Sequence, residues 1–116
     1  MGRRNRRREK LAATTSEYTD PEGNVLVLRG SLSPATRREY AAVMAGSPLS
    51  REDAWQRGVE FLFERLAVRW VLAGLEMDRQ KELLGRYRFA SAGERAWIRD
   101  TLRAHLAEHF PDLEAP

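Results

Sequence analysis

The chain has 116 residues, of which 42% are hydrophobic and 32% are charged, and its formal net charge is +3. A chain of this length is typical of a single domain whose hydrophobic core needs no covalent cross-links. The absence of Cys excludes disulfides and thiolate metal sites, and no apolar run approaches the ~20 residues that span a bilayer. These features predict a cytoplasmic protein with no membrane contact and no cofactor.

The positive charge is concentrated at the N-terminus. Residues 1–10 carry six basic side chains and one acidic side chain, a net charge of +5, whereas residues 11–116 carry 14 basic and 16 acidic side chains, a net charge of −2. Mutual repulsion and the lack of apolar side chains predict that residues 1–15 form a disordered arm. Such an arm is typical either of a solubilising tail or of a contact with nucleic acid, made here by Arg3, Arg4, Arg6, Arg7, Arg8 and Lys10.

Residues 16–116 are predicted to form one helical domain that begins with a β-hairpin. Pro21 and Gly23 favour a turn between two short strands. The second strand, Val25–Leu28, is apolar on both faces, which predicts that helices or another subunit cover it.

Four helices are predicted after the hairpin, each from its capping residues. Ser33 followed by Pro34, Ser50 followed by Asp53, and Ser91 followed by Glu94 are typical N-terminal signals. Glycine and proline residues mark the helix ends. The predicted fold class is mainly α, a hairpin followed by a compact four-helix domain around one central helix. The predicted helices are Pro34–Ala45, Ser50–Gly74, Met77–Tyr87 and Glu94–His109.

The central helix is predicted to be apolar on two sides. One stripe fits the core because its members fall within about 100° of arc at helical spacing: Trp55, Val59, Leu62, Phe63, Leu66 and Trp70. A second strip lies nearly opposite and consists of Phe61, Val68, Leu72 and Leu75. The strand Val25–Leu28 covers this second strip, or a second protein chain does. The four residues of the strip are therefore the candidate protein interface.

Two patterns suggest chemistry, and each has a simpler structural explanation. His105-Leu106-Ala107-Glu108-His109 matches H-x-x-E-H, in which two histidines on one helix face bind Zn²⁺. A third ligand and a cleft are missing from the pattern, so we expect structural histidines and no metal. Glu60 and Glu64 share a helix face as acid–base pairs do, but the flanking Arg57 and Arg65 predict a solvated or ion-paired surface. No catalytic residue is predicted, and we expect the protein not to be an enzyme.

The order of elements resembles the small tail assembly chaperones of tailed bacteriophages and prophages. The resemblance covers about residues 17–110, with the turn Asp20–Asn24, the strand Val25–Arg29 and the helix Ala54–Leu66 as its main points. It implies a non-enzymatic cytoplasmic protein that self-associates and binds the tape-measure protein during tail assembly. The basic arm departs from the pattern of this family.

Two hypotheses about function follow from the sequence. The first is a self-associating, protein-binding module, most like a tail assembly chaperone, that uses the second apolar strip. The alternative is a nucleic-acid-associated accessory protein that uses the cations between Arg3 and Lys10.

Overall fold

The computed structural model describes residues 15–46 and 50–116, so residues 1–14 of the predicted disordered arm lie outside the described residues, whereas its last residue, Thr15, belongs to a strand. The described residues form four strands and four helices. The strands make one antiparallel sheet in the order β1-β2-β3-β4. In chain order the elements are β1 (Thr15–Thr19), β2 (Val25–Arg29), α1 (Pro34–Ala45), α2 (Arg51–Leu66), β3 (Ala67–Leu72), β4 (Leu75–Met77), α3 (Gln80–Arg88) and α4 (Ala92–His109).

The predicted fold class, a mainly α four-helix domain with an N-terminal hairpin, is wrong. The hairpin is present, but it forms half of a four-stranded sheet in an α/β fold. The central helix ends at Leu66 instead of Gly74. The chain then continues without a loop into β3 and returns as β4. The second apolar strip is therefore not a helical strip, because three of its four residues lie in this second hairpin: Val68, Leu72 and Leu75.

Residues 67–72 form a strand because they pair with β2 along the edge that β1 leaves free. Leu26 and Leu28 are fully buried, and β2 pairs on one edge with β1 and on the other with β3. Opposite β2, Trp70 faces Leu26 across the ladder and joins the same buried layer. The β-branched and aromatic residues of β3 suit this pleated, half-buried position. A nonlocal pairing thus overrides a helical spacing that is real in the sequence.

The ladder between β2 and β3 contains a bulge at Val68. Val27 pairs with Arg69 and Leu28 pairs with Ala67, so Val68 is the extra residue. A bulge increases the local twist and bends the strand. It lies immediately after the end of α2, and it allows both Ala67 and Trp70 to be buried.

The turn between β3 and β4 consists of Ala73 and Gly74. Both residues have positive φ, 49° and 80°, as a type I′ two-residue hairpin requires. The Ala73 N–H donates to the side-chain oxygen of Asn24 at 3.0 Å, which ties this turn to the turn of the first hairpin. Gly74 was interpreted in the sequence as a helix end, and it is instead the second residue of this turn.

The helix starts predicted at Ser33, Ser50 and Ser91 are confirmed, whereas the helix predicted from Met77 begins only at Gln80 because Met77 belongs to β4. Ser33 accepts a hydrogen bond from the Thr36 N–H, and Ser50 accepts one from the Asp53 N–H. Ser91 and Glu94 form the complete reciprocal capping box. These starts are local interactions within four residues, so the sequence alone is enough to predict them.

The core lies between the inner face of the sheet and the helices. Phe63 of α2 contacts Trp70 of β3 edge-on, with ring centroids 5.4 Å apart, and stacks on Tyr87 of α3 at 4.9 Å. The buried stripe of α2 is as predicted for its central members, Leu62, Phe63 and Leu66, each with no exposed surface. The core is completed by buried residues of α4, namely Ile98, Leu102 and Leu106.

The conformation of Ala73 leads to a test of the second hairpin. A left-handed conformation costs an L-residue with a Cβ roughly 1 kcal/mol or more, and Asn tolerates it best among such residues. We expect Ala73→Asn to raise the free energy of unfolding by roughly 0.5–1 kcal/mol and Ala73→Val to lower it by at least that amount. Urea denaturation of the two variants and the wild type measures both changes. Equal stability of the Asn and Val variants would contradict the turn.

Candidate functional site

Two ion pairs lie across the outer face of the sheet and connect its strands. Arg69 of β3 contacts Glu17 of β1 and Glu76 of β4, each at 3.2 Å. Its side chain therefore crosses Val27 on the same face, and Val27 is only 6% exposed. Because the charges of this face satisfy one another, the face needs no partner.

An open groove with an apolar floor lies between α1 and α2. Its floor is formed by Ala42 and Val43 of α1 and Phe61 of α2. Gly46 at the end of α1 also lines the groove, which has a volume of about 560 Å³. The two helices run antiparallel, since Glu39 in the middle of α1 pairs with Arg65 near the end of α2, while Met44 near the end of α1 lies beside Gly58 in the middle of α2.

Phe61 is held in this groove by contacts on two sides. Its ring lies 6.1 Å from the ring of the buried Tyr40, and the Arg65 guanidinium lies 5.1 Å from its centroid. The side chain keeps some exposure, since Phe61 is only partly buried. A packed aromatic residue at the surface is typical of an interface anchor.

The charges on the rim of the groove are paired with one exception. Arg57 pairs with Asp53 at 3.0 Å, and Glu60 pairs with Arg88 at 2.8 Å. The carboxylate of Glu64 has no hydrogen bond or ion pair with any other described residue. The prediction of a solvated or ion-paired surface thus agrees with both residues, since Glu60 is ion-paired and Glu64 is partly exposed.

A second depression continues the groove past Glu64. It is lined by Glu64, Arg65, Val68 and Leu83 among other residues and has a volume of about 310 Å³. Glu64 therefore separates two neighbouring hollows, one with Phe61 and the other with Val68. Two of the four predicted interface residues lie on this common surface, although they do not share a helix.

The other two predicted interface residues lie elsewhere. Leu72 is partly buried and packs against the core, so it belongs to the interior of the sheet. Leu75 is 74% exposed in the edge strand β4 and is not part of either hollow. The helical grouping of these residues with Phe61 is an error that follows from the wrong length of α2.

Three residues of the candidate surface were not predicted as interface residues from the periodicity of the sequence. Ala42 and Val43 form part of the groove only because α1 packs beside α2. Phe89, which follows α3, is 89% exposed. The signal for Phe89 is its position in the sequence, between the end of one helix and the capping box of the next, where a large apolar side chain has no helix face to join.

A polar cleft on the other side of Glu60 is lined by α2 and α4. Its charged groups form pairs, Glu52 with Arg99 at 3.3 Å and Asp53 with Arg57 at 3.0 Å. We therefore interpret the charged residues of this cleft as a structural ion-pair network.

The two histidines of the H-x-x-E-H pattern join α4 to the sheet. His105 is fully buried, and its Nε2–H donates to the backbone oxygen of Arg29 at 2.6 Å. Its Nδ1 then accepts from the Tyr18 hydroxyl at 2.7 Å. His109 contacts the Ser16 hydroxyl through Nε2 at 3.2 Å. Because both ring nitrogens of His105 have partners, no lone pair remains for a metal ion.

Within residues 15–46 and 50–116, no cluster of three or more His, Asp or Glu side chains has the arrangement of a metal site. The helices in this part of the chain are also too short or too polar to cross a membrane. The six cations of the predicted nucleic-acid contact lie outside the described residues. Comparison of the chain with models of protein families, with curated proteins and with solved structures found no match. Its function is therefore inferred from its own residues.

The buried His105 gives the protein an acid-sensitive stability. Burial lowers the pKa of the imidazole below its ordinary value of 6.5 because the cation is disfavoured in the interior. Below that pH the unfolded chain binds a proton that the folded chain excludes, so the free energy of unfolding falls as the pH decreases. We expect His105→Gln to flatten this dependence between about pH 7 and about pH 5.

Urea denaturation at a fixed ionic strength across this range measures the effect. His109→Gln is the matched control, since it removes the neighbouring imidazole and keeps His105 with both of its hydrogen bonds. The wild type and the control should lose stability with acid, whereas the His105 variant loses less. Parallel curves for all three proteins would refute a buried neutral His105.

Proposed function

We propose that the protein is a non-enzymatic, self-associating protein-binding module whose interface is the groove between α1 and α2. The observation that carries the proposal is the partly buried Phe61, which contacts Tyr40 and Arg65 and lines an open groove with Ala42 and Val43. A well-packed aromatic residue surrounded by a polar rim is the usual centre of a protein interface. Glu64 adds a carboxylate that has no ion-pair partner among the described residues and that a partner's cation would neutralise.

The biological setting that we propose is the assembly of a phage tail in the cytoplasm, with a tape-measure protein as the partner. Its support is the resemblance of residues 17–110 to tail assembly chaperones in size, composition and the opening hairpin. The genes that flank the coding sequence test this setting. Tail genes on both sides would agree with it, and a neighbourhood without them would speak against it.

Phe61→Glu is the decisive substitution for the interface. It places a charge at the centre of the apolar floor, where desolvation of an unpaired carboxylate opposes association. We expect the mass of the wild type to rise above 13.3 kDa as its concentration increases from about 10 µM to about 1 mM, and the variant to remain monomeric. Size-exclusion chromatography with light scattering measures both masses, and thermal unfolding confirms that the variant is folded.

Leu75→Glu is the matched control, because Leu75 belongs to the same predicted strip but lies outside the groove, on the edge strand. This control should associate as the wild type does. A wild type that stays at 13.3 kDa throughout would refute self-association. Loss of association in the Leu75 variant alone would move the interface to the second hairpin.

Contact with nucleic acid is the second candidate function. Its support is the net charge of +5 in residues 1–10, which contrasts with the slightly acidic remainder of the chain. The arm has no aromatic side chain to stack on bases, so it favours phosphate contacts on a duplex.

Six cations predict a slope of log affinity against log salt of about −5 on duplex DNA. Deletion of residues 2–10 should abolish binding in a fluorescence anisotropy titration, and Phe61→Glu should leave it unchanged. A full chain that does not bind DNA or RNA at low salt would rule out this candidate.

A further inference from the structure

Phe89 is presented to solvent by a loop whose backbone is fixed. The Phe89 N–H donates to the Arg86 oxygen at 3.1 Å, and the next residue continues the turn with a bond to Tyr87. Arg95 of α4 donates to the backbone oxygens of Arg88 and Ala90, at 2.8 and 3.3 Å. The ring is nevertheless 89% exposed. A large apolar side chain held outward on a rigid corner loses little entropy when it is buried by a partner.

The loop that carries the exposed ring is joined to the rim of the Phe61 groove. Arg88, which directly precedes Phe89, forms two hydrogen bonds with the Glu60 carboxylate, at 2.8 and 3.2 Å. Glu60 in turn lines the groove that holds Phe61. One ion pair therefore links the loop of the projecting aromatic ring to the edge of an apolar hollow.

From this arrangement we infer that the occupant of the groove is Phe89 of a second copy of the chain, in a two-fold symmetric dimer. The inference rests on the self-association proposed above and names its contact. In a two-fold interface, a contact of residue i with residue j is repeated as j with i. A surface that carries a projecting side chain (the knob, Phe89) beside a hollow (the Phe61 groove) is complementary to the same surface of a second copy rotated by 180°. Each Phe89 would enter the hollow formed by Ala42, Val43 and Phe61 of the other copy.

Size and charge are consistent with this occupant. An apolar cavity of about 150 Å³ accepts a benzene ring, so a groove of about 560 Å³ has room for a benzyl group. Arg88 is 61% exposed in its side chain, and it would lie beside the ring of Phe89 and share its guanidinium between Glu60 of its own chain and the other copy. It would meet the Glu64 carboxylate, which lacks a partner among the described residues. The apolar and the charged contacts thus form together.

A mixing experiment tests the reciprocal contact. Phe61→Glu blocks the hollow and leaves the knob, whereas Phe89→Lys removes the knob and leaves the hollow. Each variant alone has lost both copies of the contact and should be monomeric, with a dissociation constant raised at least about thirtyfold. An equimolar mixture retains one intact Phe89–Phe61 contact, and the second position pairs Lys with Glu. We expect the mixture to form a heterodimer at concentrations at which neither variant associates.

Light scattering on the full chain, with each variant alone and with the mixture, gives the masses. Ala42→Glu is a second hollow-blocking variant at an exposed helix position, so a folding defect of Phe61→Glu does not decide the outcome. It should also form a heterodimer with Phe89→Lys. Thermal unfolding of each variant is the control for folding, and the wild type should reach twice the monomer mass and no more.

Four results would overturn the inference, and they separate it from the proposed function. A monomeric wild type would overturn both. Unchanged association of Phe89→Lys, or a mixture that stays monomeric although the wild type dimerises, would show that Phe89 is not the occupant of the groove. The groove would then remain an interface for another contact. Growth of the wild type beyond a dimer would show a head-to-tail contact and overturn the two-fold arrangement.

Discussion

The contact between Phe63 and Trp70 joins the helical and the sheet halves of this protein. Phe63 lies in the last turn of α2, and Trp70 lies in the strand that follows it without a connecting loop. Their rings meet edge-on at 5.4 Å, and Tyr87 of α3 stacks on the other side of Phe63 at 4.9 Å. Aromatic pairs of this geometry contribute about 0.5–1.5 kcal/mol beyond their buried area. A helix, a strand and a second helix are thereby fixed at one corner.

The packing at that corner determines which side of α2 is not buried against the sheet and can contribute to the candidate site. The face with Phe63 and Leu66 is committed to the sheet, so α1 packs beside the helix on another side. Phe61 points between the two helices and keeps an open side, and the groove follows from this arrangement. The end of α3, bound to α2 through the Arg88–Glu60 ion pair, brings the exposed Phe89 to the same surface. The candidate site is thus a consequence of how the core is built.

The features that could be predicted from the sequence are those set by neighbouring residues. The caps at Ser33, Ser50 and Ser91 and the turn from Asp20 to Asn24 need only local hydrogen bonds, and all are present. Residues 67–75 are different, because their spacing fits a helix and only pairing with the distant β2 makes them a hairpin. The Ala73-Gly74 pair was the local signal for that hairpin, but a Gly after an apolar run is equally typical of a helix end.

The candidate site shows the same limit. Phe61 was predicted as a member of a second apolar strip opposite the core stripe of its helix, and it lines the groove. The walls from α1 and the ring of Phe89 depend on how distant segments pack, which one sequence does not reveal. That Glu64 has no ion-pair partner among the described residues follows only from knowing where each nearby arginine is engaged.

A concentration series of two-dimensional amide NMR spectra tests the central claim, that the protein associates through one face of α1 and α2, most directly. The account predicts that signals from residues 38–46, the outer side of α2 and residues 88–90 shift or broaden with concentration, while those of β1 and β4 stay constant. Spectra that do not change with concentration, or changes confined to the edge strands and the outer face of the sheet, would contradict it.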